Sequence, residues 1–104
     1  MEPQKTYVVE CYVTGVDDAA VRTAANGVAA EVREMPRDAG DIEYLGALLM
    51  AVDEVVLHTF RTADPELVRR ISTSAGLAFD RIVESVEVLP GALIQPTVHQ
   101  WREP

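Results

Sequence analysis

The chain is poor in the residues that give a quick functional assignment. It has one cysteine among 104 residues, Cys11, so neither an internal disulfide nor a metal cage made only of thiolates can form within one copy. It has no apolar run near the roughly 18 residues of a membrane span. It also lacks a glycine-rich phosphate cradle and any Ser/His/Asp or Cys/His spacing that points to an activated nucleophile. Basic residues are scarce. Nine stand against seventeen acids, for a formal charge of −8, and only one of the nine is a lysine, Lys5, which reads as coding bias. So acidic a chain lacks the basic face that phosphate backbones need, which speaks against a nucleic-acid partner. Met1 to Thr6 do not show the charged-then-apolar order of a secretory signal, so a cytoplasmic location is expected.

What is present is material for a core. Apolar residues make up 48% of the chain, enough for one domain of ordinary size and too many for a disordered segment. Thr6 to Val13 alternates, with Tyr7, Val9, Cys11 and Val13 on one parity, and this predicts a strand. Gly15 ends it. Asp17 offers a helix cap and Asp18 a first-turn acid, and Val21, Ala24, Ala25, Val28, Val32 and Met35 then recur at helical spacing until Pro36 and Gly40. Asp41 to Met50 and Asp53 to Arg61 read as two strands of an antiparallel hairpin with a short Ala51-Val52 link. Asp64-Pro65-Glu66 predicts a second helix start, with Leu67, Val68, Ile71 and Ala75 as its buried stripe and Gly76 as its terminator. Phe79 to Val88 is the last expected strand.

This order, β-α-β-β-α-β, is the split βαβ pattern of a ferredoxin-like α+β fold: an antiparallel four-stranded sheet with two helices on one face. It assigns residues 1–88 to the domain and 89–104 to a C-terminal extension, in which Leu93, Ile94, Val98 and Trp101 suit docking on the sheet edge or on a partner subunit. The sheet face without helices then needs cover, and a symmetric homodimer is the expected solution.

The candidate functional residues are few. Glu10 stands mid-strand, where carboxylates are depleted, so it serves either a solvated face or a polar pocket. Glu84 stands in the strand expected beside it, and a register with both acids on the open face would let them share a cation or a proton. His58, between Leu57 and Thr59, is a ligand type for transition metals or a hydrogen-bonded core residue. Cys11 is a soft ligand or an apolar filler. His99, beside Gln100 and Trp101, can complete a site from another subunit. Tyr7, Tyr12 and Tyr44 read as core or interface packing, although in a dimer pocket Tyr12 and Arg81 can also serve a small organic ligand as donor and anion anchor. Asp53-Glu54 and Asp17-Asp18 are explained equally by turn chemistry, capping or hard-cation ligation.

Three segments resemble a family of small bacterial ferredoxin-like proteins of unassigned function that includes nickel-responsive, nickel-binding members. Tyr7-Val8-Val9-Glu10-Cys11-Tyr12-Val13-Thr14-Gly15 resembles its opening strand, and Asp53-Glu54-Val55-Val56-Leu57-His58-Thr59-Phe60 its third. Ala75-Gly76-Leu77-Ala78-Phe79-Asp80-Arg81-Ile82-Val83-Glu84 resembles its most recognisable run, from the second helix into the last strand. The likeness spans about residues 6–88 and implies a dimer with a metal-sequestering or metal-responsive role, nickel lying at the dimer surface. The third strand of the family often carries cysteine where His58 stands, and a basic residue is usual where Cys11 stands; both replacements keep the capacity to ligate.

Two functional expectations result. The first is a non-catalytic homodimer that binds nickel or another divalent transition metal through His58, Glu10, Cys11, Glu84 and His99, with no organic cofactor, no nucleic acid and no membrane as partner. Its affinity should fall as pH drops through the histidine range. The second is a dimeric α+β barrel, enzyme or binding module, holding a small organic ligand between two sheets near Glu10, Tyr12, His58 and Arg81.

Overall fold

The computed structural model describes residues 3–86 together with 88 and 90. Four strands and two helices appear in the expected order: β1 (Lys5–Tyr12), α1 (Asp18–Glu34), β2 (Ile42–Met50), β3 (Val55–Thr62), α2 (Pro65–Ser74) and β4 (Arg81–Ser85). Single 3₁₀ turns lie at Arg37–Ala39 and Ala51–Asp53. All neighbouring strands run antiparallel in the order β2-β3-β1-β4. This is the ferredoxin-like α+β fold.

The local chemistry explains the boundaries. The Asp17 carboxylate accepts a hydrogen bond from the Ala20 amide at 2.9 Å and opens α1. Met35 is already extended because Pro36 follows it, and the ring of a proline crowds a preceding residue out of helical geometry. Asp64 accepts from the Glu66 amide at 2.9 Å, and Pro65, in the first turn, has no amide to leave unsatisfied. Gly76, at φ 76°, takes the left-handed turn after α2.

Both helices pack on one side of the sheet. Tyr7, Val9 and Cys11 of β1 and Val56 and Phe60 of β3 form its floor, and Val28 of α1 with Val68 and Ile71 of α2 press down on them. His58 and Thr62 lie in the same buried layer. The Thr62 hydroxyl donates to the Asp41 carbonyl at 2.7 Å, which removes the penalty of burying it.

Three details depart from the sequence reading. The hairpin between β2 and β3 is longer than two residues: the 3₁₀ turn Ala51–Asp53 is closed by Glu54 in left-handed geometry at φ 56°. β2 carries a bulge between Tyr44 and Gly46, Gly46 adopting φ 118°, a value that suits a residue without a side chain. The last strand is shorter than Phe79 to Val88. It starts late because Asp80 ties its amide to the Glu10 carbonyl at 2.8 Å before ladder pairing begins. Its pairing with β1 ends at Thr6 opposite Ser85. The expected docking of Leu93, Ile94, Val98 and Trp101 lies outside the described residues, as does His99.

Phe60 is fully buried at the centre of the floor. Phe60→Ala is expected to destabilise the fold by about 3–5 kcal/mol. Urea unfolding followed by circular dichroism measures this, and a loss under about 1 kcal/mol would contradict the assigned core.

Candidate functional site

Strand register decides which candidate residues meet. Opposite β1 positions on β3, the pairs are Tyr7 with Phe60, Val9 with His58 and Cys11 with Val56; Val9 also faces Ile82 of β4, and Tyr7 faces Glu84. These residues share the side that carries the helices. The alternate set belongs to the open side. Its rows, from β2 across, are Met50, Val55 and Tyr12; then Leu48, Leu57, Glu10 and Arg81; then Gly46, Thr59, Val8 and Val83; then Glu43, Arg61, Thr6 and Ser85.

This layout separates the predicted ligands into three groups. Glu10, Tyr12 and Arg81 lie on the open face. His58 and Cys11 lie behind it, under the helices. Glu84 also has helix-side parity, but on the edge strand, where Lys5 sits 3.5 Å from its carboxylate. The expectation that Glu10 and Glu84 share the open face is therefore corrected. They stand on strands in contact, but Glu84 is opposite Tyr7 rather than Val8, and a one-residue difference in a strand reverses the face. His58 does not converge with Glu10, Tyr12 and Arg81 for the same reason. Among the described residues no group of three His, Cys, Asp or Glu side chains is placed to hold a metal ion. The five expected metal ligands thus do not form a site within the described part of one chain.

The open-face centre is a two-point ion pair. Arg81 Nε donates to Glu10 Oε1 at 2.8 Å and Nη2 to Oε2 at 3.2 Å, the forked geometry that fixes a carboxylate in orientation as well as position. The guanidinium is held above its ordinary value by this hydrogen bond first and by the Glu10 charge second. A second pair, Arg61 to Glu43 at 3.2 Å, lies at the opposite corner. Around them Leu48 (63% exposed), Tyr12 (58%) and Met50 (43%) stand uncovered.

The buried group has different chemistry. His58 is 1% exposed, with Nδ1 2.8 Å from the Tyr44 hydroxyl. Burial lowers its affinity for a proton below that of an ordinary histidine. Burial likewise pushes the Tyr44 phenol up to about 12, helped by the neighbouring Cys11. The Cys11 thiol is pushed up to about 11 by burial and then by the charge of Asp80. A thiol in that state is neutral at physiological pH and a poor metal ligand. Of the two roles open to each residue, the geometry matches the hydrogen-bonded core histidine and the apolar filler.

Tyr44, expected as core or interface packing, is the partner of His58 that sequence reasoning did not identify. The bulge at Leu45 changes the parity of β2, so Tyr44 and Ala47, three residues apart, both join the side of His58. A glycine inside a strand pattern was the available signal, since such glycines commonly mark bulges. Asp80 was also missed: its carboxylate accepts from the Tyr12 amide at 3.0 Å and anchors the entry to β4. The groove of about 360 Å³ beside Thr62 and Leu67 is lined by none of the candidate residues, and that of about 310 Å³ between α1 and β2 by Asp18 alone among them.

Comparison with known proteins adds the fold and little else. No family model and no curated protein matches the chain. Among solved structures, the crystal structure of SCO4226 from Streptomyces coelicolor A3(2) is similar, with a TM-score of 0.65 and 15% identity over 81% of this chain and 99% of that one. No helix among the described residues is long and apolar enough to cross a membrane.

Cys11 is 3% exposed, so its labelling by a thiol reagent at neutral pH is expected to be slow in the folded protein and fast in urea. Equal rates in the two states would show that the thiol is accessible and overturn the filler role.

Proposed function

We propose that the protein is a non-catalytic homodimer whose open sheet faces pack on each other and form its binding surface. One observation carries this reading. The chain has a formal charge of −8, yet the strand residues of the open face sum to zero: Glu10 and Glu43 against Arg61 and Arg81, each acid paired with a base on its own copy. The rest of that face is apolar or uncharged, including Val8, Leu48, Met50, Leu57 and Val83. Two such faces meet without net repulsion while the surplus negative charge stays outside, where it opposes further association. The size is adequate. Strands of 8, 9, 8 and 5 residues cover roughly 470 Å² in plane, and side-chain relief raises the accessible area toward the about 800 Å² per partner of a standard interface.

Light scattering at micromolar concentration is expected to give twice the chain mass. Leu48→Arg, at an exposed position on the face, is expected to yield a folded monomer. A wild-type monomer at about 100 times that concentration would end the proposal.

A second reading is a divalent transition metal held between copies. It draws on the sequence resemblance and on Glu10, a strand-centre carboxylate on the face the two copies would share. His58 and Cys11 do not serve it, because they lie behind the sheet. Calorimetric titration with nickel or zinc is expected to give one metal per two chains, with the heat lost in Glu10→Gln; no heat up to millimolar metal removes this reading and leaves the dimer untouched.

A further inference from the structure

We propose that the Tyr44–His58 pair is an acid-sensitive latch on the edge strand β2 and, through it, on the open face; the second part rests on the dimer reading above.

β2 is one of the two edge strands, β4 being the other, and of the two it is β2 whose ladder carries a bulge beside a buried histidine. In the order β2-β3-β1-β4 it is paired on one side only, and its ladder is broken at the Tyr44/Gly46 bulge. The Tyr44 hydroxyl reaches His58 on β3 from one side of that break, and Ala47, on the other side, stands directly opposite His58. The 2.8 Å hydrogen bond therefore spans the weakest point of the strand. Leu48 and Met50, which supply much of the apolar open face, follow immediately after the bulge. A β2 that lifts away takes both out of register.

The surroundings of His58 offer little to a positive charge. The ionisable groups on its side of the sheet are Tyr44 on β2, Cys11 and Tyr7 on β1, and Lys5 and Glu84 toward the ends of the strands, with the Asp80 carboxylate near enough to act on Cys11. The helix residues buried over this layer are Val28 of α1 and Leu67, Val68, Ile71 and Ser72 of α2, none of them ionisable; at its β2 margin, Asp18 and Arg22 of α1 line the groove beside Ala47 and Leu49. Desolvation is what lowers its proton affinity. The imidazole therefore takes a proton less readily while buried than when water reaches it, and release of β2, the strand beside it that is paired on one side only, admits that water. Because the folded-state pKa is depressed, the contribution of neutral His58 is complete above the ordinary value of 6.5 and is lost progressively as pH falls below it.

The experiment is amide hydrogen exchange of the full chain by NMR between about pH 7.5 and pH 5.5, above the range in which ordinary carboxylates titrate, with light scattering on the same samples. After correction for intrinsic rates, the β2 amides bonded to β3 are expected to lose protection by about tenfold per pH unit below about 6.5, the response of an opening linked to one proton, while β1 amides hold. The dimer is expected to dissociate over the same range. His58→Gln, which offers Tyr44 a partner that does not titrate, is expected to abolish the pH response. Protection of β2 that is independent of pH, or a His58 ring that titrates near its ordinary value with β2 still protected, would overturn the latch; both are read on the wild-type protein, whether or not the variant folds. Monomers at every pH with the β2 response intact would reject the dimer reading and support the latch.

Discussion

Two helices cover one side of a four-stranded sheet, and that single coverage divides every strand into residues with water and residues without. Val9, Phe60, Val28, Val68 and Ile71 occupy the dry layer as expected of apolar side chains. His58, Cys11 and Tyr44 are drawn into or against the same layer by strand periodicity, and their chemistry changes as a result. A histidine whose proton affinity is lowered, a thiol shifted to about 11 and a phenol shifted to about 12 are consequences of position, not of any catalytic pairing.

The hydrogen bond between Tyr44 and His58 is one of the polar contacts in that layer, beside that of the Thr62 hydroxyl with the Asp41 carbonyl. A buried imidazole left without a partner is costly, and one bonded to a phenol is tolerated. The bulge at Leu45 makes the partnership possible, because a regular β2 would place residues 44 and 47 on opposite faces. The same irregularity weakens the ladder where the edge strand has no second neighbour. Strength and weakness thus sit at one point of the fold.

The open side has the opposite character. Its charges are few and already matched within one copy, and Leu48, Tyr12 and Met50 stand exposed on it. Glu10 illustrates the difference between residue type and role. As a strand-centre acid it resembles a ligand or a general acid, but both of its oxygens are engaged by Arg81. What the pair contributes to the surface is neutrality and a fixed orientation. SCO4226 from Streptomyces coelicolor A3(2) shares the architecture at 15% identity, which supports the fold and says nothing of these side chains.

The element order, both helix caps, the left-handed Gly76 and the apolar floor of the sheet were legible in the sequence, because each rests on contacts between residues near in the chain or on a repeat of two or 3.6. The core reading of His58 was legible too, from its apolar parity partners Val56 and Phe60. Register between distant strands was not. It placed Glu84 opposite Tyr7, closed Arg81 on Glu10 across 71 residues, and brought Tyr44 to His58 through a bulge. Local sequence fixes which residues alternate, but only the packing of the whole sheet under its helices chooses the offset between strands. A single step of that offset exchanges the dry side for the wet one.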